Sequence, residues 1–134
     1  MTGAMPDYVK VWMWACPDPK RFGVAHGTLR RHEGWYAKYL FESESRGTYL
    51  YRAEVPIPDH FSNHLRWMGE VVVGLLAQDY MVSFRKGEYD PYGAFISTKG
   101  HTAVLNSTMN WYAGHAETPS EALVAACMEA MADD

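Results

Sequence analysis

The residue order predicts an α+β fold: antiparallel sheet with two main helices packed on it as a layered sandwich, in a single domain over residues 1–134. Three observations carry that prediction. Residues 35–42 and 48–55 are rich in aromatic and β-branched side chains and flank the polar stretch Ser-Glu-Ser-Arg-Gly, as a β-hairpin does. Between residues 60 and 78, Phe61, Leu65, Met68, Val72, Leu75 and Leu76 recur at three- and four-residue steps, the period of a helix. Thr118-Pro119-Ser120-Glu121 is a capping box with proline at the first helical position.

Taken in order, residues 9–16 (VKVWMWAC) form a short apolar run stopped by Pro17-Asp18-Pro19 and read as a strand buried on both faces. Residues 18–34 carry two readings. Asp18 before Pro19 is suited to cap a helix bearing Phe22, Ala25 and Leu29, whereas Gly23 and Gly27 favour a loop. The hairpin follows and ends at Pro56-Ile57-Pro58, completing a β-rich, aromatic first part (1–58). Asp59 is the expected N-cap of the 60–78 helix, whose apolar stripe is broad enough for a central position or for an interface with a second copy. Residues 80–86 and 92–98 make a second hairpin through Gly-Glu-Tyr-Asp-Pro, and 109–115 adds a third strand. The capped terminal helix aligns Ala122, Leu123, Ala126, Cys127, Ala130 and Met131, mostly small residues that permit close packing on a sheet.

A chain of 134 residues builds one core without a staple, and 48% hydrophobic against 21% charged residues excludes disorder. The formal charge of −4 argues against a general nucleic-acid coat, which needs an excess of cations. Cys16 and Cys127 lie in apolar runs and read as reduced, buried thiols. No run approaches the roughly 20 apolar residues of a membrane span, and the first residues lack a secretory pattern, so a cytoplasmic setting is expected.

The residues HFSNHLRWMGEVV and YAGHAETPSEALVAACMEAM, joined by a three-stranded meander, resemble the phage ABA-sandwich domain family over about residues 59–132. The resemblance implies a bacteriophage or prophage origin, action in the host cytoplasm, and a small layered fold. It carries no residue role. Small phage accessory proteins often block or sequester a host component.

Charge is unevenly spread: residues 1–60 sum to +1 and residues 61–134 to −5. Residues 20–32 hold Lys20, Arg21, Arg30 and Arg31 with His26 and His32 and no carboxylate, and Trp35 and Tyr36 follow. Guanidinium forks for phosphate, glycines for close backbone approach and an aromatic ring for a base are the parts of a nucleotide site. The expected ligand-binding set is therefore Lys20, Arg21, His26, Arg30, Arg31, Trp35 and Tyr36, with no cofactor and no catalytic residue. A solvated basic turn is the plainer alternative.

Two weaker constellations stand beside it. His60 and His64 are four apart, as zinc ligands on one helix face are, but no H-E-x-x-H is present and a capped first turn with one exposed and one packed His is the favoured reading. His26-Gly27-Thr28 resembles the dinucleotide-holding strand of His-Tyr-Glu ADP-ribosyltransferases; Tyr49 or Tyr51 and Glu54 would complete the resemblance, at a spacing that family does not share. The aromatic richness of Trp12, Trp14, Trp35, Tyr36, Tyr39, Phe41, Tyr49 and Tyr51 would place rings on both faces of the hairpin strands, one face for the core and one for a partner. A homo-oligomer is expected. The function expected is non-catalytic sequestration of a phosphorylated small molecule, a nucleotide-type host-defence signal; the alternatives are a protein-binding inhibitor of a host factor and an ADP-ribosyltransferase-like enzyme.

Overall fold

A computed structural model describes residues 5–43, 49–59, 63–87, 92–98 and 111–133. Nine elements follow in order: α1 (Asp7–Ala15), β1 (Arg21–Leu29), β2 (His32–Ser43), β3 (Tyr49–Pro56), α2 (His64–Ala77), β4 (Tyr80–Arg85), β5 (Tyr92–Thr98), β6 (Trp111–Ala116) and α3 (Pro119–Ala132). The strands form two antiparallel three-stranded meanders, β1-β2-β3 and β4-β5-β6. The α+β class therefore holds, with a third helix at the start of the chain.

That helix corrects the first strand of the sequence reading. An unbroken apolar run shows no period, so length and neighbours must decide. Pro6 takes the N-cap position, Asp7 lies favourably in the first turn, and Val11, Trp12 and Ala15 follow the helical three-to-four spacing of the buried face. The last carbonyls of so short a helix need partners, and two side chains outside the helix supply them. The Arg21 guanidinium donates to the Met13 and Cys16 carbonyls at 3.1 and 2.8 Å. The Gln78 amide donates to those of Trp14 and Ala15 at 3.2 and 2.9 Å.

Residues 21–29 are strand, neither helix nor loop. Leu29 pairs with His32, leaving Arg30 and Arg31 as a two-residue turn with φ of 50° and 68°. Such turns ordinarily take Asn-Gly, so two arginines gave no turn signal. The predicted hairpin 35–42/48–55 is β2–β3, its connecting residues 44–48 lying outside the described set. The described part of α2 begins at His64 after Asn63, which supplies no side-chain cap, in place of the expected cap at Asp59. Residues 60–62 are outside the described residues, as are 109 and 110 of the third predicted strand.

The core lies among the three helices and the second sheet. Trp67, Val71 and Leu75 of α2, Leu123, Ala126 and Cys127 of α3, Ala94 and Ile96 of β5, and Val9, Val11 and Ala15 of α1 are all fully buried. Helix α3 packs on β5 and β6, α2 on β4, and α1 against α2 and α3. Sheet β1-β2-β3 joins this core through Val24, Trp35, Ala37, Tyr39 and Ile57. Its rings lie on both faces, as expected, but most share one, with Tyr36 on the face opposite Trp35. Trp35, Tyr39 and Phe41 alternate onto the same side as buried Ala37, and Tyr51 pairs with Phe41 on that side. Phe41 stacks between Tyr39 and Tyr51, with centroids 5.8 and 5.4 Å away.

The terminal helix is as predicted: the Thr118 hydroxyl accepts from the Glu121 backbone N–H at 3.2 Å. No described helix is long and apolar enough to cross a membrane.

Candidate functional site

A cleft of about 290 Å³ opens where β3 ends and the chain leaves the first sheet. Its walls come from four places. Gly27 and Leu29 of β1 and Glu33, Gly34, Trp35 and Tyr36 of β2 provide the sheet side; Pro56, Ile57 and Asp59 provide the departing chain; Tyr8 of α1 and Asn63 before α2 close the rest. Pairing of Ile57 N–H with the Trp35 carbonyl at 2.9 Å fixes the departing chain beside β2.

Gly27 matters for space. A Cβ there would stand 3.4 Å from the Tyr36 ring and 3.5 Å from its hydroxyl, so glycine lets that ring lie across β1. The cleft is polar at its rim. Tyr8 is held above its ordinary pKa by burial and then by the Asp59 carboxylate, and so remains a phenol. With Glu33, Asp59 and Asn63 the cleft favours a ligand presenting N–H or O–H donors. An anion does not belong inside it.

The cations expected around it are divided. Arg30 and Arg31 are exposed at the turn just beyond Leu29 and Gly34. Arg21 lies at the other end of β1, nine residues from Arg30 and roughly 30 Å away along an extended strand. Its guanidinium caps α1 and lies 4.9 Å from the Trp12 ring. Lys20 sits nearby, its Nζ 5.4 Å from the Phe41 centroid. His26 pairs with Trp35 and meets that ring edge-on at 5.3 Å, on the sheet face opposite Tyr36. The structure thus brings Gly27, Trp35 and Tyr36 into one cleft with Arg30 and Arg31 beside it, and leaves Lys20 and Arg21 apart.

Comparison with protein-family models, curated proteins and solved structures finds no match to this chain. The likeness to phage ABA-sandwich domains rests on the residues quoted above alone.

The ADP-ribosyltransferase-like constellation does not assemble among the described residues. His26 lies on the inner face with Trp35, whereas Glu54 pairs with Lys38 on the outer face, and Tyr51 pairs with Phe41, six residues along β2 from Trp35. Among the described residues no three His, Cys, Asp or Glu side chains form a metal-holding group; His64 is exposed at the start of α2, and His60 is outside the described set.

Both cysteines are free thiols, Cys127 buried and Cys16 half-buried. Burial pushes Cys127 up to about 12, and burial with the Glu70 charge pushes Cys16 up to about 11 against the opposing pull of Arg21. Neither is a nucleophile at neutral pH. Folding holds both thiols protonated above their unfolded value of 9.0, so their contribution to stability is intact below pH 9 and is lost as pH rises toward 11–12. Urea titrations between pH 8 and 11 should show declining stability, and Cys127→Ala should lessen the decline. An identical pH profile in the variant contradicts the assignment to Cys127.

Sequence reasoning missed Tyr8, Glu33, Ile57, Asp59 and Asn63 as cleft residues. Tyr8 was obscured by the strand reading of the segment that follows it. The other four carry no local signal, because only tertiary packing places them around Tyr36.

Proposed function

We propose that the protein binds a phosphorylated aromatic small molecule without transforming it, the ring in the cleft against Tyr36 and the phosphate outside on Arg30 and Arg31. The observation that carries this reading is the Arg30-Arg31 turn. Two residues with side chains hold positive φ where Asn-Gly would turn freely, at a cost of roughly 1–2 kcal/mol each. Strain of that kind, beside an open cleft, supports a role for those two side chains rather than for the turn. Guanidinium forks recognise phosphate, and the Glu33 and Asp59 carboxylates suit the donor edge of a base or sugar. A nucleotide meets both demands. With the phage-family resemblance, a host-defence nucleotide sequestered in the host cytoplasm is the biological form of the proposal.

Calorimetry against a panel of nucleoside mono-, di- and cyclic phosphates tests it. Arg30→Ala with Arg31→Ala should weaken binding by roughly 10- to 100-fold, the loss of two charge-assisted contacts. Tyr36→Ala should weaken it comparably, and Lys20→Ala should leave it unchanged. Equal affinity in the double arginine variant removes the site.

One observation favours a second reading, inhibition of a host protein. The outer face of the first sheet exposes Leu40 and Leu50, and Phe22 projects nearby beneath the Arg52 guanidinium. Recovery of a stoichiometric host protein that Leu50→Asp abolishes would support it over the nucleotide.

A further inference from the structure

Helix α2 has two apolar stripes, and the core uses one. Trp67, Val71 and Leu75 face inward and are fully buried. On the opposite side Leu65, Gly69, Val73 and Leu76 fall in line, with Leu65 76%, Val73 66% and Leu76 53% exposed. Beside this line runs an apolar groove of about 600 Å³ between α1 and α2, lined by Trp12, Cys16, Gly69, Val73 and Gly74. Arg66 and Glu70 stand at its rim. Glu70 is anchored there by Trp12, whose indole N–H donates to it at 2.8 Å, and Arg66 approaches its other oxygen at 3.4 Å.

We propose that this face is a homodimer interface in which α2 packs antiparallel on the α2 of a second copy. Two features fit that occupant. The first is shape: a Cβ at Gly69 would meet nothing within 4 Å, so Gly69 is an open notch between two projecting side chains. A two-fold axis near Met68 sets each Leu65 between the partner's Gly69 and the partner's Val73, as a knob in a hole. The second is charge. The same axis sets each Arg66 beside the partner's Glu70, because residues two before and two after the axis face each other. One positive and one negative group at this spacing make the rim complementary to itself. The groove accepts the inserted leucine, and Trp12 supplies the aromatic wall common at interface centres.

Sedimentation equilibrium of the full chain between 1 and 200 µM tests the proposal, independently of the cleft. The wild type should reach the mass of two chains, against 15.2 kDa for one. Gly69→Gln is the decisive variant. It improves helix propensity, its Cβ meets nothing within 4 Å in the monomer and the position is exposed, so the fold is kept, yet it fills the notch. Its dimer dissociation constant should rise at least about 100-fold, since each change acts twice in a two-fold interface. Leu65→Asp should do the same. A wild type that remains one chain at 200 µM overturns the proposal, and so does a dimer that survives both variants, because another face would then be responsible.

Discussion

Trp67→Ala should destabilise the protein by about 3–5 kcal/mol, the range for removing a large aromatic side chain from a closed core. Trp67 is the largest fully buried side chain and sits on the inner stripe of α2 amid residues from α1, α2 and α3. It also carries a polar obligation. Its indole N–H donates to the Tyr8 carbonyl at 3.1 Å, near the start of α1. Alanine leaves both a cavity and a carbonyl without that donor, and the two losses reinforce each other. Against a total stability of roughly 5–15 kcal/mol, the variant retains little margin. At this chain length the midpoint of thermal unfolding should fall by roughly 10–15 °C. Trp67→Phe separates the causes, since it keeps most of the ring volume and loses only the donor. A drop of about 1–2 kcal/mol is expected there. A Trp67→Ala midpoint within 3 °C of wild type would show that α1 does not depend on this contact. Because Tyr8 and Asn63 both line the cleft, ligand affinity should fall with the structural loss.

How much of this was legible in the sequence depends on which interactions decide each element. The terminal helix was fully legible, because Thr118, Pro119 and Glu121 act within one turn. Helix α2 and the hairpins were legible as periodicities, though the start of α2 was displaced: Asp59 is a good cap by type, whereas the described helix begins after Asn63. Helix α1 was not legible. Its carbonyls are satisfied by Arg21, beyond a Pro-Asp-Pro break, and by Gln78, more than sixty residues away, which no local window contains. Strand β1 hid for a related reason. Its turn is Arg30-Arg31, and glycines at 23 and 27 speak for a loop until pairing with β2 is seen. The same pairing separates Lys20 and Arg21 from Arg30 and Arg31. Nearness in sequence suggested one basic cluster, and an extended strand makes sequence distance into real distance. The second apolar stripe of α2 was visible as an overly broad hydrophobic face, but exposure was needed to show which residues remain outside the core.

The second large effect is expected at Gly114, where the smallest residue sets the spacing of two layers. Gly114 pairs with Ala94 across the meander and faces α3. A Cβ placed on it would stand 2.3 Å from the Ala122 carbonyl oxygen, 2.4 Å from the Ala126 nitrogen and 2.8 Å from the Ala125 Cβ. Two of these are backbone atoms of a helix, which no rotamer change can move aside. The helix must lift off the sheet by about an ångström or more, and Ala122, Ala126 and Ala130 have no longer side chains to maintain contact as it does. Overpacking usually costs about 1–3 kcal/mol, and a backbone-on-backbone collision belongs at or above the upper end. Gly114→Ala should therefore lose at least about 3 kcal/mol in urea unfolding, and Gly114→Val should leave little folded protein at 25 °C. Gly34→Ala is the matched control. It lies in a strand of the other sheet, meets nothing within 4 Å, and should change stability by no more than about 1 kcal/mol. If the two alanine variants unfold at the same urea concentration, the small-residue seam of α3 does not set the layer spacing. If only Gly114→Ala fails, the alanines of α3 are explained as a fitted surface: a helix that must approach β6 this closely has no room for larger side chains along that line.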